Sequence, residues 1–409
     1  MLREMEKSES CKPGIIHYNI IINGLCKDRR VNEAVDIYCE MIVKGILPDV
    51  VTFTCLIQGL CSLGLWEEAQ GLLNEMLARG ISPNVDCGLV PDVVTYSTLI
   101  HFLFKIGKFD KAITLLRTME EVRVAPNIYL YNILIDGMCK AGKVDVGEEL
   151  FRKLPASGLQ PGFYTYNILI NGYCKSMMIG EATSLIKEMS GNRVTPTIVT
   201  YNTLISGLCD AGRLKDALLL LDDIRNRDLV PNIVTYSTLI DSLFKNEKFD
   251  DALALLRTME GVGVAPNIVL WNILIDGMCK VGKIDVGQEL FRDLPSRGLR
   301  PNIRTYNILM NGLFKNGKLK EANHLLQEMM ICGCMPDGFT FNIIIQGFLR
   351  WNETTMAVQF LRRMLDAGFP ADACTSTSLV NLLATRKLDS ESKEVLKKFF
   401  QLTLKAKIK

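Results

Sequence analysis

The chain repeats itself every 35 residues, and that period constrains its fold more than any other property. An aromatic residue followed by Asn, Ser or Thr, and then by Leu/Ile pairs, begins at Tyr18-Asn19, Phe53-Thr54, Tyr96-Ser97, Tyr131-Asn132, Tyr166-Asn167, Tyr201-Asn202, Tyr236-Ser237, Trp271-Asn272, Tyr306-Asn307 and Phe341-Asn342. Every step is 35 residues except one of 43. A unit this short cannot bury an apolar face by itself, so the units must stack. A stack also escapes the roughly 250 to 300 residues at which a single core stops growing.

Each unit reads as two helices and a turn. In the first, Tyr18, Ile21, Ile22 and Leu25 fall at i, i+3, i+4 and i+7, and after a polar break Val31, Ala34, Tyr38 and Met41 form a second apolar stripe. Gly142, Gly212, Gly282 and Gly317 lie between the stripes, and Asn32, Asp110, Asp145 and Asp285 are expected to cap the second helix. Units close on Gly and then Pro, as in Gly45…Pro48, Gly80…Pro83 and Gly158…Pro161, an order that ends a helix and forbids its continuation. A small residue recurs on the second helix, among them Ala34, Ala69, Gly147, Ala217, Gly287 and Ala357, which lets neighbouring helices approach closely. The expected architecture is all-α, a solenoid of stacked 35-residue helix-turn-helix repeats.

Ten complete repeats span residues 15–84 (two) and 93–372 (eight). Residues 1–14 are expected to be the tail of an earlier, truncated repeat. Residues 85–92, VDCGLVPD, form an insertion or repeat remnant, and 373–409 a partial repeat with a Lys-rich C-terminal capping helix. Residues 93–162 and 233–302 are near copies at a spacing of 140, so whole repeats were duplicated as modules.

Hydrophobic residues at 48% and charged residues at 22% fit a folded chain. A net charge of +2 supplies no global attraction for nucleic acid, so any such case rests on where the basic residues sit. Several of the thirteen cysteines, Cys26, Cys61, Cys139, Cys174, Cys209 and Cys279, lie inside apolar stretches and read as buried, reduced thiols. The three histidines, His17, His101 and His324, share no zinc-like spacing with the Cys332/Cys334 pair. No catalytic constellation stands out, so neither a metal, nor another cofactor, nor enzyme activity is expected. No segment approaches the roughly 18 apolar residues of a membrane span, and the N-terminal MLREMEKSES reads as neither signal nor transit peptide.

Units such as IVTYNTLISGLCDAGRLKDALLLLDDIRNRDLVPN (198–232) resemble pentatricopeptide repeats of the P class, over nearly the whole chain. The period and the VTYN…P-D/N ending carry the resemblance; the tetratricopeptide alternative has a period of about 34 and a W-x-x-L-G pattern that is absent here. The wording Gly24-Leu25-Cys26-Lys27 and the duplicated modules resemble the fertility-restorer-like subgroup of plant organelle proteins. The resemblance implies a right-handed superhelix that binds single-stranded RNA one base per repeat. It also implies a mitochondrial or, second, plastid location.

In that family the polar residue after the aromatic and the last residue of the repeat face one base edge. The resemblance therefore implies U for Asn19 with Asp49, A for Thr54 with Asn84, and A for Ser97 with Asn127. Asn132 with Gly162 leaves its base nearly unread. Asn167 with Thr197 implies a pyrimidine, Asn202 with Asn232 C, Ser237 with Asn267 A, and Asn272 with Asn302 C. Asn307 with Asp337 and Asn342 with Asp372 each imply U. The site is 5′-UAANYCACUU-3′, with Asp92 a rival to Asn84 as partner of Thr54. A row of Lys27, Lys105, Lys140, Lys175, Lys245, Lys280, Lys315 and Arg350, interrupted by Ser62 and Asp210, is expected to track phosphates. One turn before the readout residue, Ile16, Val51, Val94, Val199, Val234 and Val269 are expected to wedge between bases, and Tyr129, Tyr164 and Phe339 to stack; Arg304 departs from that row.

The expected partners are an organellar transcript and a separate RNA-processing enzyme, with no membrane and no small-molecule substrate. Two other readings stay open: a peptide-binding helical scaffold, which predicts groove residues out of register, and a truncated, non-functional duplicate.

Overall fold

The computed structural model describes residues 13–80, 91–227, 229–384 and 390–407, and all regular structure among them is helical. The chain divides into two compact units, residues 1–211 and 212–409.

In the first unit the first helices of successive repeats, Ile15–Lys27, Val50–Leu63, Val93–Lys105, Ile128–Lys140, Phe163–Lys175 and Ile198–Asp210, each pack on the next. The second helices Val31–Val43, Trp66–Gly80, Phe109–Glu121, Val144–Lys153 and Ile179–Gly191 each pack on their own first helix. The second unit opens with Leu214–Asn226. It continues through Ile233–Lys245, Ile268–Lys280, Ile303–Lys315 and Gly338–Arg350 as first helices, and Phe249–Gly261, Ile284–Asp293, Leu319–Ile331 and Thr354–Asp366 as second helices. Ala373–Ala384 and Ser390–Lys407 follow, the latter packed on Thr354–Asp366 with Leu396 and Phe399 buried.

The period is a period of burial. The repeated aromatic is between 0% and 9% exposed in all ten repeats, from Tyr18 to Phe341. The small residue of the second helix is buried in every repeat, Ala34 and Gly147 included. Mid-helix glycines, which cost about 1 kcal/mol in helix propensity, have a packing reason. A Cβ built on Gly172 would stand 2.4 Å from Cys139 Sγ, and one on Gly312 2.5 Å from Cys279 Sγ. The recurrent Cys–Gly pairing is thus how consecutive first helices approach. In repeats with Phe in place of Cys, the ring of Phe104 or Phe244 fills the same space against Gly137 or Gly277.

The 43-residue step does not interrupt the stack, because Val93–Lys105 packs directly on Val50–Leu63. Asn84, residues 85–90 and residues 1–12 lie outside the described residues. One expectation is corrected. Asn32, Asp110, Asp145 and Asp285 do not cap the second helices; the N-cap positions are Arg30, Lys108, Lys143 and Lys283, and the expected residues sit inside the first turn. Gly142 and Gly282, at φ 74° and 76°, end the turn so that the N-cap falls on the next residue, two before Asp145 or Asp285. The acids still favour the positive helix end, and two of them bind the neighbouring repeat: Lys143 Nζ donates to Asp110 Oδ1 (3.4 Å) and Lys318 Nζ to Asp285 Oδ1 (2.6 Å).

Candidate nucleic-acid interface

The first helices carry a recurring chemistry on one face. Counted from the polar residue after the aromatic, positions −3, +4 and +8 lie within a narrow arc of the helix. At −3 the side chains are apolar and open to solvent: Ile16 is 68% exposed, Tyr129 65%, Phe339 64%, and the valines Val51, Val94, Val199, Val234 and Val269 about as much. Arg304, also exposed, replaces them in one repeat. At +8 the basic residues Lys27, Lys105, Lys140, Lys175, Lys245, Lys280, Lys315 and Arg350 are all exposed.

The polar residue itself sits lower, held by the buried aromatic beside it. Ser97, Asn272, Asn307 and Asn342 are almost fully buried, and the others are half-buried. The amide oxygens of Asn132, Asn167, Asn272 and Asn307 are buried without a hydrogen-bond partner. A buried polar atom left so costs about 1–3 kcal/mol, and here the condition recurs at one position of the repeat.

Among the described residues the last residue of the repeat proves to be the N-cap of the next first helix, and Asp92 takes that position before Val93–Lys105. Asp49 accepts from Thr52 N, Asn127 from Leu130 N, Asn267 from Leu270 N, Asn302 from Thr305 N and Asp337 from Thr340 N. The Thr of the V-T-Y motif completes the box, accepting the N-cap N–H at Thr52, Thr200, Thr235, Thr305 and Thr340. Each of these threonines is fully buried. Capping also fixes polarity. In Asn127, Asn267 and Asn302 the amide oxygen is taken by the helix, which leaves the NH2 donors for a partner. In Asp49 and Asp337 the second carboxylate oxygen remains, an acceptor only. Gly162 brings no side chain to this position.

Contact within a pair is direct at Asn19–Asp49 and at Asn342–Asp372. Asn19 Nδ2 donates to Asp49 Oδ1 at 3.0 Å while Thr52 Oγ1 donates to Asn19 Oδ1 at 2.6 Å. Asp372 N donates to Asn342 Oδ1 at 3.1 Å. Asp92 occupies the Asp49 position of the following repeat: it caps Val93–Lys105 by accepting from Thr95 N, and Thr95 Oγ1 lies 2.7 Å from Thr54 Oγ1. Thr54 therefore faces Asp92 through the same Thr-mediated link that joins Asn19 to Asp49.

Sequence reasoning missed the +4 position. Asp136, Asp241 and Asp276 accept from Lys140, Lys245 and Lys280 at 2.6 to 2.7 Å, so three of the eight basic positions are internally paired. The pattern was available as Asp and Lys four residues apart on one helix. The polar face lines open grooves: about 430 Å³ around Tyr129, Asn132, Tyr164, Lys105 and Lys140 in the first unit, and about 670 Å³ around Asn272, Asn307, Asp337, Arg304 and Phe339 in the second. Among the described residues no cluster of His, Cys, Asp or Glu is placed to hold a metal ion, and no helix is long and apolar enough to cross a membrane.

A family model described as the PPR repeat family matches residues 13–62, 48–87, 91–140, 126–175, 164–210, 196–245, 231–269, 266–315 and 301–350, and a PPR repeat model matches 339–369. No curated protein sequence matches the chain. Among solved structures, the pentatricopeptide repeat protein PPR10 from maize is 20% identical over 98% of this chain and 65% of its own, with a TM-score of 0.48. This chain thus spans just under two thirds of the maize protein. PPR10 in complex with an 18-nt psaJ RNA element is 23% identical over 98% and 71%, with a TM-score of 0.42. Yeast Rmd9p in complex with a 16-nt target RNA is 12% identical over 98% and 84%, with a TM-score of 0.38.

Proposed function

From the premise that this chain belongs to the pentatricopeptide repeat (PPR) family, we propose that it binds single-stranded RNA sequence-specifically, one base per repeat, and acts by occupying its site. The observation that carries this reading is a face that recurs along the first helices: an exposed side chain at −3, apolar in nine of the ten repeats, a polar side chain half-buried or buried beside the aromatic, and an exposed basic residue at +8 in eight of the ten. Those three suit a base face, a base edge and a phosphate in turn. With net charge +2, the in-register row and not the total supplies the electrostatics.

Cap polarity supports the assignments. A capped Asn offers donors, which suit the unprotonated ring nitrogen on the pairing edge of C or A; a capped Asp offers an acceptor, which suits the ring N–H of U or G. Asp92 opposite Thr54 keeps the purine assigned to Thr and turns it from A to G. The proposed site is 5′-UGANYCACUU-3′. The subgroup resemblance supports a mitochondrial setting, with a plastid second, where occupancy governs processing, stability or translation of a transcript.

The test is binding of purified full chain to labelled 5′-UGACUCACUU-3′ against a scrambled RNA of equal composition, at two salt concentrations. Preference for the first, weakening with salt, is the expected result. Equal binding to both, or binding to neither, overturns the reading.

A further inference from the structure

We propose that the fourth repeat holds its base by its faces and not by its edge, between Tyr129 and Tyr164, and so selects a purine of either kind; this rests on the RNA reading above. The two tyrosines occupy the −3 position of consecutive first helices, Ile128–Lys140 and Phe163–Lys175, which pack side by side. They are 65% and 61% exposed, and both line one groove of about 430 Å³ with Asn132 on its wall. Lys105 and Lys140 line the same groove, the latter paired with Asp136.

The edge reader is missing where the faces are best furnished. Gly162 stands where other repeats place Asp, Asn or Thr, and a Cβ built on it would meet nothing within 4 Å. Asn132 alone remains on the edge, and one amide that can rotate to donate or accept does not distinguish bases. Two flanking rings and the added space favour the larger ring system, because stacking scales with the overlapped π-face and tolerates any edge. The position reads ring size.

The experiment uses five RNAs, 5′-UGANCCACUU-3′ with A, G, C, U or an abasic site at N, and a sixth with C in place of the first U. Wild type is expected to bind the A and G forms within about twofold of each other, several-fold above C and U, and on the order of tenfold above the abasic form. In Y129V/Y164V, which installs the side chain of the neighbouring repeats, the purine preference and most of the abasic penalty should vanish while the preference for U at the first base persists. Indifference of the wild type at the fourth base, with the first-base preference intact, overturns the sandwich alone. Binding of none of the six overturns the RNA reading and the sandwich with it.

Discussion

Asn19 donates its amide hydrogen to the same carboxylate oxygen of Asp49 that caps the next helix, at 3.0 Å, so one group both ends a repeat and aligns the polar side chain of the repeat before it. Asn is as good a cap as Asp, so D49N should leave the melting temperature within about a degree while replacing the outward acceptor by donors. The expected result is a switch of preference at the first base from U to C, by about five- to a hundredfold in competition binding, the usual worth of a well-placed base contact. An unchanged preference removes Asp49 from base reading.

The Asp136–Lys140, Asp241–Lys245 and Asp276–Lys280 pairs place a competing anion beside three of the eight basic residues proposed to meet phosphate. Exposed i,i+4 pairs add only about 0.3–0.5 kcal/mol to a helix, so the triple variant D136N/D241N/D276N should remain folded. It should bind RNA more tightly. Its plot of log K against log salt should steepen by up to about 2, at roughly 0.7 for each phosphate contact on a single strand. A parallel plot would mean that these lysines do not meet phosphate.

The fold was legible because one period governs burial, capping and turn together: Tyr18 to Phe341, Ala34 to Ala357 and Gly142 to Gly317 all recur where stacking needs them. The roles of polar residues were less so. Asp145 reads as a cap by composition, but the left-handed glycine before it sets the helix start, and a side chain's partner across repeats is not a property of its own helix. Thr52 and Thr95 escaped notice for the same reason. Their hydroxyls bond one repeat backward, to Asn19 and Thr54, in contacts 33 and 41 residues apart that no local pattern displays.

A Cβ at Gly172 would press on Cys139 Sγ at 2.4 Å and on Cys139 Cβ at 2.8 Å. G172A therefore gains helix propensity of about 1 kcal/mol and meets overpacking of about 1–3 kcal/mol, with a net loss expected in thermal denaturation. Adding C139A, which removes the sulfur and leaves the Cβ, should recover part of that loss. Lack of recovery would show that the helices do not approach through this pair.

Burial pushes the Cys61, Cys139 and Cys279 thiols up to about 12, and Cys174 to about 11, from an ordinary 9.0. The folded state keeps protons that the unfolded state gives up, so their contribution is fully present below pH 9 and is lost as pH rises from there toward 12. Melting temperature should fall across that window, and C139A/C279A should fall less steeply than wild type. At neutral pH, Cys39, Cys332 and Cys374, which are exposed, should react with a thiol reagent far faster than the buried set.

The second base separates the two possible partners of Thr54. Thr95 Oγ1 bridges Thr54 Oγ1 at 2.7 Å and Asp92 Oδ1 at 2.9 Å, the arrangement by which Thr52 bridges Asn19 and Asp49. The purine opposite Thr54 then meets a carboxylate, which accepts from the ring N–H of G and has nothing to donate to A. Wild type should prefer 5′-UGA over 5′-UAA at the start of the site, and D92N, which keeps the cap, should reverse that order. N84D and N84A should change neither. If instead N84D converts an A preference to G while D92N is silent, the readout register runs through Asn84, and the stacking of Val93–Lys105 on Val50–Leu63 fixes the helices without fixing the code.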